Sequence, residues 1–140
     1  MQTVSEAEIA AVFSGTADIV ADALARDRSE VRRESRLIAD LGAESIDFLD
    51  IVFRLEQHFG VRIARGQILD EARGELDEEA FHTDGVLTPA GLARLRAVLD
   101  EVDPAAIKLG LRVDDIPFLF TVETFCKVIV RAQHAAAGRG

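Results

Sequence analysis

One stretch of this chain brings a reactive side chain, turn residues and a helix start close enough together to suggest chemistry: Asp40-Leu41-Gly42-Ala43-Glu44-Ser45-Ile46-Asp47. Gly42 supplies the backbone freedom of a tight turn, Ser45 is a residue type favoured at helix starts, and Gly60 favours a stop. A hydroxyl at a helix N-terminus lies beside unpaired backbone amides and the positive end of the helix dipole, where a phosphate ester would be stabilised. Catalysis by the serine itself fits poorly. A nucleophilic serine needs an adjacent base and an oxyanion site, yet His58 is more than three turns away and no Gly-x-Ser-x-Gly elbow surrounds Ser45. The residues therefore disfavour an esterase, and a lone serine here would serve equally as an ordinary helix cap.

The helix that follows Ser45 sorts into three faces when its residues are spaced at about 100°. Phe48, Ile51, Val52, Leu55 and Phe59 form a broad apolar arc, which predicts the core face. Asp47, Asp50, Arg54, Gln57 and His58 form a solvated face. Between them Ile46, Leu49 and Phe53 make a second apolar stripe with Glu56 set into it, and a carboxylate there predicts a partly exposed strip rimmed by acid.

Asp-Leu-Gly-Ala-Glu-Ser-Ile-Asp, followed in register by Leu-Asp-Ile-Val-Phe-Arg-Leu-Glu and a terminal Phe-Gly, resembles the signature of the acyl carrier proteins. Glu44 stands where that family usually has Asp, keeping the charge on a longer arm. The resemblance implies that Ser45 carries 4′-phosphopantetheine, placed there from coenzyme A by a phosphopantetheinyl transferase. Acyl intermediates of fatty-acid, lipid or polyketide biosynthesis would then ride on the arm as thioesters, and the protein would not be an enzyme. It also implies that the second helix is the docking surface for acyl-transferring and chain-extending enzymes with basic faces. The residues expected to dock are Glu44, Ile46, Asp47, Leu49, Asp50, Phe53 and Glu56. Phe13, Phe48, Ile51, Val52, Leu55 and Phe125 are the candidates for sheltering an acyl chain, and each would serve equally as ordinary core. The alternatives are an unmodified carrier-fold interaction protein that docks through residues 45–59, and an aminoacyl or peptidyl carrier.

Composition narrows the partners. A net charge of −9, from 16 basic and 25 acidic residues, disfavours nucleic acid and anionic membrane and favours basic protein surfaces. From Glu44 to Asp84 eleven acids face four arginines, a local net of −7 beside Ser45. A lone cysteine, Cys126, permits no internal disulfide and fits a reducing compartment. No signal segment, membrane-length apolar run or metal-ligand spacing is found. A cytoplasmic, monomeric protein without stable membrane insertion is expected.

The elements that must position Ser45 read as all-α. Ser5 and Glu8 form a capping box ahead of a helix over 6–25. Residues 26–40 read as a charged loop whose arginines are solvated, with Val31, Leu37 and Leu41 as apolar anchors. Beyond Ile63 the pattern of ordinary carrier proteins breaks off, and it resumes near Phe120-Thr121-Val122, so residues 65–117 read as an insertion within one carrier-protein domain. Inside it Thr88-Pro89 predicts a helix over 89–102, Asp103-Pro104 a shorter one ending near Gly110, and Ile68, Leu69, Leu76 and Phe81 another short helix. No strand is expected. Thr121 caps a last helix to about residue 135, with Val122, Phe125, Cys126, Ile129 and Ala132 on one face and Ala135–Gly140 frayed. The architecture expected is an acyl-carrier-protein-like helical bundle enlarged by a helical insertion.

Overall fold

In the computed structural model, which describes residues 4–63, 73 and 76–139, the chain is mostly helical and divides into two compact units. The first comprises residues 1–64 with 120–140, and the second residues 65–119.

The first unit holds three long helices: α1 (Glu6–Leu24), α2 (Ser45–Phe59) and α5 (Val122–Arg139). Ser5 opens α1 as a capping box, its hydroxyl accepting from the Glu8 amide while the Glu8 carboxylate accepts from the Ser5 amide at 3.0 Å. Val12, Thr16 and Val20 recur at helical spacing and are buried along one stripe. α1 packs against both α2 and α5. α5 starts with a reciprocal threonine cap. The Thr121 amide donates to the Thr124 hydroxyl at 3.0 Å, and the Thr124 amide donates back to Thr121 at 3.2 Å. Val122, Phe125, Cys126, Ile129 and Ala132 are buried as expected, but α5 runs on to Arg139 rather than fraying at Ala135. Ala135–Ala137 are exposed, so the helix over these three residues rests on alanine's helix propensity.

In the loop expected over residues 26–40 the apolar anchors are buried as expected, but the arginines are not simply solvated. Val31, Leu37 and Leu41 are buried anchors, and Arg28–Glu30 form a turn of 3₁₀ helix. Backbone hydrogen bonds sew the segment to the start of α5: Leu37 N–H to the Phe120 carbonyl, Val122 N–H to Ser35 and Glu123 N–H to Arg33. Arg33 pairs with Glu6 of α1 through both terminal nitrogens and with Glu123 of α5 at 3.0 Å. Arg28 bonds Asp18 at 2.8 Å and lies 5.2 Å over the Phe13 ring. A partly buried guanidinium that joins two helix starts holds its geometry better than a lone surface pair. These arginines brace the loop instead of merely solvating it.

Among the described residues, the second unit holds the α-helices α3 (Glu78–Phe81) and α4 (Pro89–Val98), beside a hairpin of β1 (His82–Thr83) and β2 (Val86–Leu87), and a 3₁₀ segment over Val113–Leu119. The expectation of no strand is corrected here. Asp84 and Gly85, both with positive φ, form the two-residue turn that matches strand twist, and Asp-Gly is its preferred sequence. α4 begins as expected, with Thr88 accepting from the Gly91 amide and Pro89 in the first turn, but it ends at Val98. Leu99 leaves helical dihedrals, at φ −97 and ψ 53, and Pro104 keeps Asp103 out of them, so the helix expected to end near Gly110 is a single 3₁₀ turn, Pro104–Ala106. Leu92, Leu95, Leu99 and Val102 are all buried. α4 lies so close to α3 that a Cβ on Gly91 would stand 2.1 Å from the Phe81 carbonyl oxygen. The expected apolar pair Ile68 and Leu69 lies outside the described residues.

Candidate functional site: the start of the second helix

The turn ahead of α2 is built by its own motif. The Asp40 carboxylate accepts from the Arg36 amide at 2.8 Å, and the Leu41, Gly42 and Ala43 amides donate to the carbonyls of Arg36, Ile38 and Leu37. Leu41 and Ala43 are buried under the turn, while Gly42 takes φ +75. The acid that opens the motif is therefore a turn-former. Glu44, with extended dihedrals, is the N-cap, and Ser45 is the first helical residue. The Glu44 amide donates to the Asp47 carboxylate at 2.7 Å, so the negative charge of Asp47 sits at the positive end of α2.

Downstream, the stripe between the core and solvated faces is open to solvent: Ile46 is 70 % exposed, Leu49 57 % and Phe53 60 %. Its rim is partly committed to local bonds. Glu56 accepts from the Ile63 amide at 2.8 Å, and Asp50 pairs with Arg54 at 3.1 Å, which also reaches Asp22 at 3.5 Å. Glu44 is exposed and Asp47 half-buried. On the inward face Ile51 and Leu55 are fully buried, and Phe48 and Val52 are half-buried. Phe48 stacks on Phe125 with centroids 6.0 Å apart, and Phe120 meets both rings edge-on at 6.3 Å. Phe120 was not among the expected lining residues. Its one sequence signal is its place directly before the Thr121 cap. Phe13 stands apart from these ring contacts, half-buried under Arg28.

Arranged this way, the site presents a helix start beside an exposed apolar strip. His58 is at the far end of α2, against Phe59. Among the described residues no cluster of side chains could hold a metal ion. Burial pushes the Cys126 thiol up to about 11, so it offers no nucleophile. A helix N-terminus suits a covalently held phosphodiester, and Ser45 is the first residue of the fifteen-residue α2. These features define a carrier of an attached group.

Comparison with known proteins agrees. The family described as "Phosphopantetheine attachment site" matches residues 16–73. The acyl carrier protein AcpXL of Rhizobium meliloti (strain 1021) is 36 % identical over 97 residues, covering 69 % of this chain and 95 % of the relative. AcpXL of Rhizobium etli is 37 % identical over 95 residues, covering 68 % and 96 %. The acyl carrier protein of Thermotoga maritima is 42 % identical over 52 residues, covering 37 % of this chain and 64 % of its own length. No solved structure matches significantly. The chain belongs to the acyl carrier protein family. It carries acyl groups on a covalently attached 4′-phosphopantetheine, and it meets a phosphopantetheinyl transferase and acyl-handling enzymes. No described helix is long and apolar enough to cross a membrane.

Proposed function

We propose that Ser45 is the attachment residue of this carrier. The observation that carries the reading is Ser45 as the first residue of α2, directly after a glutamate N-cap and the hydrogen-bonded Asp40–Ala43 turn. In the loading reaction the serine oxygen forms a bond to the phosphorus that bears pantetheine, and the diphosphate bond of coenzyme A breaks. Adenosine 3′,5′-bisphosphate leaves with the electron pair, and the hydroxyl proton passes to a base on the transferase. The loaded arm supplies a thiol that holds acyl groups as thioesters. A flexible tether keeps one acyl group at high effective concentration for successive active sites.

Ile46, Leu49 and Phe53 form the apolar centre of the docking face, with Glu44, Asp47, Asp50 and Glu56 at its acidic rim. Their exposure and charge support basic partner enzymes, because complementary charge steers encounter and fixes orientation. Phe48, Ile51, Val52, Leu55 and Phe125, with Phe120 now added, line the interior that an acyl chain would enter between α2 and α5; Phe13 flanks it on α1. The chain acts as one carrier-protein domain in which residues 65–117 are an insertion. It has no catalysis of its own, works as a monomer in the cytoplasm, and serves fatty-acid, lipid or polyketide synthesis.

Intact mass tests the attachment residue. Incubation with coenzyme A, Mg²⁺ and a broad-specificity phosphopantetheinyl transferase should add about 340 Da to the wild type and nothing to Ser45→Ala. An equal gain in the variant would move the arm to another residue. No gain on wild type, including protein from its native cell, would leave a docking protein that is never loaded.

A further inference from the structure

The residue that holds the turn ahead of Ser45 comes from the far end of α1. Ala25 closes α1 in the left-handed conformation, φ 53 and ψ 43, and the Arg26 amide returns to the Ala21 carbonyl. This reversal sends the Arg26 side chain across to the start of α2. Its Nε–H donates to the Leu41 carbonyl at 3.2 Å. Its Nη2 lies 3.4 Å from where a Cβ on Gly42 would be, and its Nη1 is 3.5 Å from the Glu30 carboxylate. Leu41 is buried and its carbonyl lies in a turn, where no neighbouring backbone amide donates to it, so the oxygen takes its donor from a side chain. Arg26 supplies it from fifteen residues away.

We propose that Arg26 is a positioning residue for the loading of Ser45: it pins the Leu41–Gly42 turn so that α2 begins at a fixed place in front of the transferase. This rests on Ser45 as the attachment residue. The guanidinium acts through the turn, not as a counter-ion. The guanidinium faces the Glu30 carboxylate at 3.5 Å, and its bond to the turn is made to a carbonyl oxygen, so what it passes on toward Ser45 is the position of the backbone. Misplacing a reacting hydroxyl by an ångström lowers the rate of its reaction without weakening the docking that precedes it.

The test uses the full chain as wild type, Arg26→Ala, Arg26→Lys and Arg26→Gln. With a phosphopantetheinyl transferase and coenzyme A, Arg26→Ala should lower kcat about tenfold at nearly unchanged KM for the carrier, because the docking strip is untouched. Gln, a neutral donor, should recover much of that loss, as should Lys. In the unloaded protein, amides from Leu41 to Asp47 should exchange about tenfold faster in Arg26→Ala, with α1 and α5 unchanged. Wild-type kcat in Arg26→Ala would overturn the proposal. Recovery by Lys and not Gln would overturn it in favour of a charge effect, and a rise in KM alone would place Arg26 in docking. Should Arg26→Ala fail to fold, Arg26→Met, which keeps the apolar stem but has no donor, takes its place: it should show the same loss of kcat, and wild-type kcat in it would overturn the proposal. The exchange measurement needs no arm, so it decides the role of Arg26 even if wild type proves not to be loaded at Ser45.

Discussion

Glu8 shows how much a single residue at the helix ends contributes. Its carboxylate bonds His134 of α5 and accepts from both the amide and hydroxyl of Ser5, and these bonds hold it at about 2 instead of the ordinary 4.5. The folded form thus prefers the ionised carboxylate. Its contribution is complete above pH 4.5 and is lost as pH falls toward about 2. Urea midpoints measured from pH 6 to pH 2 should fall more steeply through that window for wild type than for Glu8→Gln, which lacks the titrating group. Parallel curves would remove Glu8 from the acid response. The capping box itself was legible from Ser5 and Glu8, since both partners are three residues apart. The His134 bond was not, because a contact across 126 positions leaves no local pattern.

At the scale of the element, α2 was readable almost to its ends. Periodicity separated three faces, and the structure places Ile51 and Leu55 inside and Ile46, Leu49 and Phe53 outside. What the wheel could not supply is the state of the acids. Asp47 caps the helix, Glu56 holds the chain after Gly60, and Asp50 pairs with Arg54, all of which depend on neighbours that a periodicity does not name. Because Phe53 is so exposed, Phe53→Ala should change the melting temperature by no more than about 3 °C. If the strip is the docking face, the same variant should slow arm transfer about tenfold through KM, as loss of a central apolar anchor does at an interface. Transfer at the wild-type rate would move the docking face elsewhere. The loop before α2 was the poorest reading. Five arginines in a short segment look solvated until the acids they meet, Glu6, Asp18 and Glu123, are brought in from other elements.

For the molecule as a whole, the two compact units set the terms. Sequence marked the interruption of the carrier pattern near residue 65 and its return near residue 120. It missed the hairpin because strands of two residues carry no alternation, and only Asp84-Gly85 signalled it. Gly91 tests how separately the units are stabilised. Adding a methyl group against the Phe81 carbonyl must shift α4 or α3, at a loss of about 2 kcal/mol. Hydrogen exchange in Gly91→Ala should accelerate across residues 78–98 and leave α1, α2 and α5 protected, with loading of Ser45 continuing. Faster exchange throughout would mean that the chain unfolds as one cooperative body.

The burial of Cys126 has a practical consequence for anyone following this carrier through its cycle. A buried thiol pushed up to about 11 inside α5 should stay silent toward mild alkylating and disulfide reagents at pH 8. In the native protein the free end of the arm would therefore be the one sulfur that answers. Titration with a chromogenic disulfide should count no equivalents on the bare chain, one on the loaded chain and none once that arm is acylated, with Cys126 adding one more only after denaturation. The fold would thus make occupancy of the carrier readable by eye, with no label introduced and no residue changed.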